Sequence, residues 1–250
     1  GRKMSLGLRT VELSEALDVD AADEVAAELA EDPRVLSASP NLRVFPADVG
    51  GPTSETDPDD PYFDGDDMWS LNGTYGIDGP TAWETTTGSS DVVVAVLDTG
   101  ILSHEDLAGS SQVPGFDMIA DVFTANDGTG RDTNPTDAGD WVTAQEEAND
   151  PEFCQESDSS WHGTHVTGTI NAASGNNIGV ASIAPGVKTQ AVRVLGKCGG
   201  YSSDIIDGIV WASGGAADVA PENETPADVI NMSLGGFGDC SVELQDAIDT

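Results

Sequence analysis

Residues 92–97 read Val-Val-Val-Ala-Val-Leu, an unbroken apolar run rich in β-branched side chains and closed by Asp98-Thr99-Gly100. A run without polar alternation has no solvent side, so it predicts a strand covered on both faces of a parallel sheet. It is far too short to cross a membrane. The rest of the chain repeats the theme. Residues 162–173 carry helical spacing, 189–195 read as strand, 203–212 as helix and 228–232 as strand, and Ser241 opens another helix. Strand and helix in alternation predict a doubly wound α/β fold with a mainly parallel sheet. Between residues 116 and 160 lies an acidic stretch with little periodicity, which predicts a functional or metal-bound surface loop.

The first 46 residues read as a unit of their own. Residues 8–13 alternate as a strand, a helix begins near Asp20 and runs through Val25, Ala26 and Leu29 toward Asp32-Pro33, and 35–45 return as extended chain. Such a fragment is too small to be stable alone. Residues 46–60, rich in Pro, Gly, Ser, Thr and Asp, predict an exposed, cleavable linker. No internal repeat and no secretory signal occurs, so any export signal is expected upstream.

Acidic residues outnumber basic ones 45 to 9, a formal charge of −36. That excludes nucleic-acid phosphate as a natural partner and argues against an anionic membrane surface. Apolar content of 38% with five Trp is too high for a disordered acidic tail. The charge fits either a shell suited to high salt or an ordinary acidic secreted protein. Cys154, Cys198 and Cys240 are an odd count without CxxC spacing, which argues against zinc. They read either as one disulfide plus an orphan or as three buried thiols.

Three motifs carry candidate chemistry. Asp98 ends the buried strand, at the sheet edge where ligands gather; alone, it could equally cap a turn. His162-Gly163-Thr164-His165 opens a helix, and neither an HExxH arrangement nor a nearby Cys completes a metal site. Asn231-Met232-Ser233-Leu234-Gly235-Gly236 ends another strand in small residues, which suits either peptide pairing or a tight exit. Taken together and in this order, VAVLDTGI at 94–101, HGTHVTGTI at 162–170 and NMSLGG at 231–236 resemble the subtilisin family of serine endopeptidases. The resemblance runs from about residue 60 to 250 and includes RVLGKCGGYSSDIIDGIVWA at 193–212. Residues 1–46 resemble, more weakly, the carboxyl-terminal half of that family's inhibitor-like propeptide.

The resemblance implies a three-layer subtilisin-like catalytic portion over 60–250, a partial propeptide over 1–46, and a linker with a processing site over 47–59. It implies that Asp98 and His162 are the acid and base of an Asp-His-Ser triad, with His165 structural. Substrate polypeptide would lie between Ser233-Leu234-Gly235 and Gly199-Gly200-Tyr201. Calcium would be held by Asp60, Asp106 and Asn176 with the carbonyls of Ile178 and Val180. Asp127, Asp132, Asp137 and Asp140 could hold a second calcium or simply be solvated. Cys154 would pair with Cys198, and Cys240 with a cysteine past residue 250. The family's nucleophile sits in a Gly-Thr-Ser motif that is absent here, so these residues are expected to form an inactive fragment of a secreted, monomeric protease inhibited by its own propeptide. The alternatives are a non-catalytic peptide-binding homologue or a propeptide-type inhibitor. A nucleotide-binding protein is disfavoured, because no Gly-rich phosphate loop follows the strand at Val92.

Overall fold

A computed structural model describes residues 19–35, 38, 57–63, 67–217, 219–236 and 241–249. The strand expected at 8–13, most of the extended segment at 35–45 and most of the linker lie outside them, as does Cys240. The chain divides into two compact units, Gly1–Val49 and Gly50–Thr250. In the first, helix α1 spans Val19–Ala30 and buries Ala26. It ends before Asp32-Pro33, where the backbone N–H, Nε and Nη2 of Arg34 all donate to the Asp32 carboxylate. That side-chain pairing holds the Asp32 carboxyl below its usual range.

The second unit opens with two short helices, α2 (Trp69–Asn72) and α3 (Gly79–Thr85). Phe63, Leu71 and Ala181 form a small apolar cluster beside them, with Met68 and Trp83 against it. Then come β1 (Val93–Asp98), β2 (Ser111–Asp117), α4 (Val122–Ala125), α5 (Ala144–Asn149) and α6 (His162–Asn171). The described chain closes with β3 (Lys188–Arg193), α7 (Ser202–Ala212), β4 (Val229–Asn231) and α8 (Val242–Ile248). The strands form one parallel sheet in the order β2-β3-β1-β4.

Strand alternation sorts the two faces. Ala95 and Leu97 of β1 join Val192 of β3 and the following Val194 in the main core, with Ile209, Trp211 and Ala212 of α7 and Ala247 of α8. Gly208 admits this packing: a Cβ there would lie 3.0 Å from Val194. The opposite register positions face α6, where Thr189 of β3 donates its hydroxyl to Asn171. Helices on both faces of a parallel sheet make three layers, which is why β1 tolerates no polar side before Asp98. The connection into β3 passes through α6, and the connection from β3 to β4 passes through α7 on the other face. In open α/β sheets such a reversal marks the place for a ligand site, here the carboxyl ends of β1 and β3.

Two features differ from expectation. Ser111–Asp117 is a strand although it contains Pro114 and Gly115. It lies at the sheet edge, with a register shift between Val113 and Phe116, where a missing N–H is tolerated. The acidic stretch after it holds α4, capped by Asp121, and α5, closed by a reciprocal Thr143–Glu146 capping box.

Candidate active site

Asp98 ends β1 fully buried, and His162 begins α6 with its side chain 45% exposed. The imidazole Nδ1 lies 2.8 and 2.9 Å from the two oxygens of the Asp98 carboxylate. Two glycines permit the approach. Gly100 turns the chain out of β1 at φ +106°, and a Cβ on Gly163 would fall 2.3 Å from the Gly100 carbonyl oxygen and 3.2 Å from the Asp98 Cβ. Any side chain at residue 163 would push the helix mouth off the strand tip.

The Thr99 N–H donates to Asp98 Oδ1 at 2.7 Å. An ionised carboxylate is an acceptor only, so Nδ1 carries the proton and Nε2 keeps its lone pair. Nε2 has no protein partner among the described residues. A base aimed outward and oriented by a buried acid can take a proton from a hydroxyl and return it to a leaving group.

Behind this pair stands a cation the sequence reading assigned no role. Arg193, paired in register with Asp98, is completely buried. Its Nε donates to the Thr99 carbonyl at 3.0 Å, Nη1 to Asp117 at 2.6 Å, and Nη2 to the Ala125 carbonyl. Asp127 lies 3.4 Å from Nη1. One side chain thereby joins the ends of β1, β2 and α4. Burial pushes the Asp117 carboxyl up to about 6, against the pull of Arg193 and of the Ile119 N–H. A signal existed: an Arg inside Ala-Val-Arg-Val-Leu must be paired if that run is buried.

Of the four acids considered for a second metal, only Asp127 and Asp132 share a partner. Asp127 and Asp132 bond Thr129, Asp132 also bonds the Asn134 N–H, Asp137 bonds Thr99 and Gly139, and Asp140 bonds Ser160. Among the described residues no three His, Cys, Asp or Glu gather around one point.

Asp60 and Asp106 do converge on the loop after α6. Both are buried. Asp60 Oδ2 accepts from the Gly175 N–H at 2.7 Å, while Asp106 accepts from the Asn176 amide at 3.0 Å and from the Val180 N–H at 2.8 Å. The Ile178 N–H donates to Asn176 Oδ1. Gly179, at φ +55°, lies so close that a Cβ would overlap Asp106 Oδ2. Among the described residues no basic side chain forms an ion pair with either carboxylate.

The segments assigned to substrate follow the strands flanking β1. Gly196 and Gly199 close a tight bridge, and a Cβ on Gly200 would lie 2.3 Å from the Val194 carbonyl oxygen. Tyr201 is exposed before α7, and Ser233, which accepts from the Asn231 amide, follows β4 together with Leu234 and exposed Gly235. Cys154 and Cys198 are joined in a disulfide with Cα atoms 4.7 Å apart. Beside it the Lys197 ammonium meets Glu146 at 2.6 Å and lies 4.9 and 5.5 Å from the ring centres of Trp141 and Phe123. The Lys197 side chain, then the two Thr143 hydrogen bonds, lowers the Glu146 carboxyl to about 2.

Known proteins resemble this chain over much of its length. An extracellular protease of Xanthomonas campestris pv. campestris is 45% identical over 250 residues, covering 99% of this chain and 40% of that protein. An extracellular basic protease of Dichelobacter nodosus is 47% identical over 193 residues, 77% of this chain and 32% of that protein. The chain thus spans two fifths or less of these relatives. Among solved structures, a protease of Pseudoalteromonas arctica matches with a TM-score of 0.71 and 53% identity over 77% of this chain and 55% of that one. The model of the subtilase family matches residues 89–250, and the chain belongs to that family.

Proposed function

We propose that this chain carries the acid and base of a secreted subtilisin-like serine endopeptidase, with Asp98 and His162 as two members of its triad. The observation that carries the reading is the Nδ1–carboxylate contact at 2.8 Å, with Nε2 unpartnered among the described residues. His162 Nε2 takes the proton of an attacking Ser hydroxyl and later returns it to the departing amine. Asp98 fixes the tautomer and stabilises the imidazolium. The Ser lies outside these 250 residues, which contain no Gly-Thr-Ser, so the chain alone does not turn over substrate. Substrate polypeptide pairs between residues 233–235 and 199–201. Residues 1–46 act as a propeptide that aids folding and inhibits the same protein. The Xanthomonas alignment takes in nearly the whole chain and so extends over this segment.

The disulfide supports export, as do the extracellular relatives. No described helix is long and apolar enough to cross a membrane.

Asp60, Asp106 and Asn176, with the Ile178 and Val180 carbonyls, fit calcium. Two buried carboxylates without a cationic partner among the described residues, beside neutral oxygens on one tight loop, are a donor set for a large hard cation. When bound, the ion would supply charge neutralisation and fasten the segment at Asp60 to the loop.

The test is hydrolysis and active-site labelling. His162→Ala in the secreted protein that carries these residues should lower kcat about 10⁶-fold. A fluorophosphonate should label that protein and leave the 250-residue chain unlabelled. Stoichiometric labelling of the 250-residue chain, or full activity in His162→Ala, would overturn the reading. A secreted protein that binds peptide and never labels would favour the peptide-binding homologue instead.

A further inference from the structure

The first two N–H groups of α6 belong to His162 and Gly163, and a helix leaves such donors unsatisfied unless something outside it accepts them. The residue before them, Trp161, sits at φ +52° and offers no side-chain cap. Two hydroxyls accept in its place. Ser160 Oγ accepts from the His162 N–H at 3.3 Å, and Thr99 Oγ1 accepts from the Gly163 N–H at 3.0 Å.

Each hydroxyl is itself held by a carboxylate from the acidic stretch. Asp137 Oδ2 accepts from Thr99 Oγ1 at 2.7 Å, and Asp140 accepts from Ser160 Oγ at 2.7 Å and from its N–H at 2.6 Å. Asp137 is buried, its other oxygen takes the Gly139 N–H, and backbone bonds between Ile101 and residues 135 and 137 fix its loop to the β1 exit. A hydroxyl has one proton. Because ionised Asp137 can only accept, the Thr99 proton must point to it, and the lone pairs are left for the Gly163 N–H. Thr99 also uses its own N–H to hold Asp98. One residue therefore grips the acid through its backbone and the base-bearing helix through its side chain.

We propose that Asp137, acting through Thr99, is a positioning residue for the His162–Asp98 pair, and that Asp140 acts likewise through Ser160 at the exposed side of the same helix mouth. The acidic stretch is then a cap for the catalytic helix rather than a metal loop. This rests on the protease reading above.

The test measures kcat and KM of the secreted protein in a double-mutant cycle. Thr99→Val removes both hydroxyl bonds and should lower kcat about tenfold with KM unchanged, since a small misplacement of reacting groups costs rate rather than binding. Thr99→Ser should restore it. Asp137→Asn, which keeps the size of the side chain, and Asp137→Ala should each lower kcat when Thr99 is present and add nothing in the Thr99→Val background. An equal further loss in the Thr99→Val background, or a lower Tm with kcat intact, would overturn the proposal. The two readings fail separately. Full activity in His162→Ala removes the protease reading, whereas loss of activity there with full kcat in Thr99→Val removes only this inference.

Discussion

The second unit buries carboxylates in two places and treats them differently. At the carboxyl edge of the sheet, Asp117 meets Arg193 at 2.6 Å, and Asp137 meets a threonine hydroxyl and a backbone amide. On the loop after α6, Asp60 and Asp106 meet backbone amides and an asparagine among the described residues. The first region offsets part of its charge with the Arg193 guanidinium, while the second has no basic ion-pair partner among the described residues. A region that supplies its own cation stays ordered at any metal concentration, which suits a site whose atoms must hold fixed distances. A region that took its cation from solution, as proposed for calcium at Asp60 and Asp106, would stiffen or loosen with its surroundings.

The largest expected effect comes from breaking the internal balance. Arg193→Met leaves Asp117 buried without its cation and should cost about 3–5 kcal/mol in urea unfolding, whereas the double replacement Arg193→Met with Asp117→Leu should recover most of the loss. If the double variant is as unstable as the single one, the pair contributes packing rather than charge balance. Next, EDTA should lower the thermal midpoint of the wild type, by the equivalent of about 4 kcal/mol where free metal exceeds its Kd a thousandfold. Asp106→Asn should lose that response, and an unchanged wild-type midpoint would remove the calcium assignment.

The smallest effect is one of shape. Glu146 is lowered to about 2 from 4.5, so the unfolded chain binds more protons between those values. Its contribution is complete above about pH 4.5 and fades as pH falls through 2. Asp117 acts with opposite sign: the folded form keeps its proton up to about 6 against 3.8 unfolded, so its contribution declines as pH rises across that window. Glu146→Gln should therefore flatten the acid limb of the stability–pH curve without moving the decline between about 4 and 6.

What the sequence made legible follows from how local each signal is. The β1 run, the α6 and α7 spacing and the short β4 strand depend on burial patterns within a dozen residues, and all four elements lie where those patterns put them. Edge strand β2 was not legible, because its outer side chains are exposed and it carries Pro114 where an inner strand could not. Asp98 and His162 stood out because each sits in a motif with its own glycine. Arg193, Asp137 and Thr99 did not. Arg193 reaches Thr99 across 94 positions and Asp137 reaches it across 38, so their function exists only once the fold has closed. Cys154 and Cys198 were readable only through the family likeness, since three cysteines alone allow more than one arrangement.

The engagement of the positive side chains has a consequence for the lifetime of the molecule. Between residues 57 and 249 the only lysines and arginines are Arg131, Lys188, Arg193 and Lys197. Arg131, Arg193 and Lys197 are largely buried in ion pairs, and Lys188 is half-buried at the start of β3. An enzyme that cuts after a basic residue would therefore find few exposed side chains to grip between residues 57 and 249. Hiding its few cations would slow such cleavage of the folded unit.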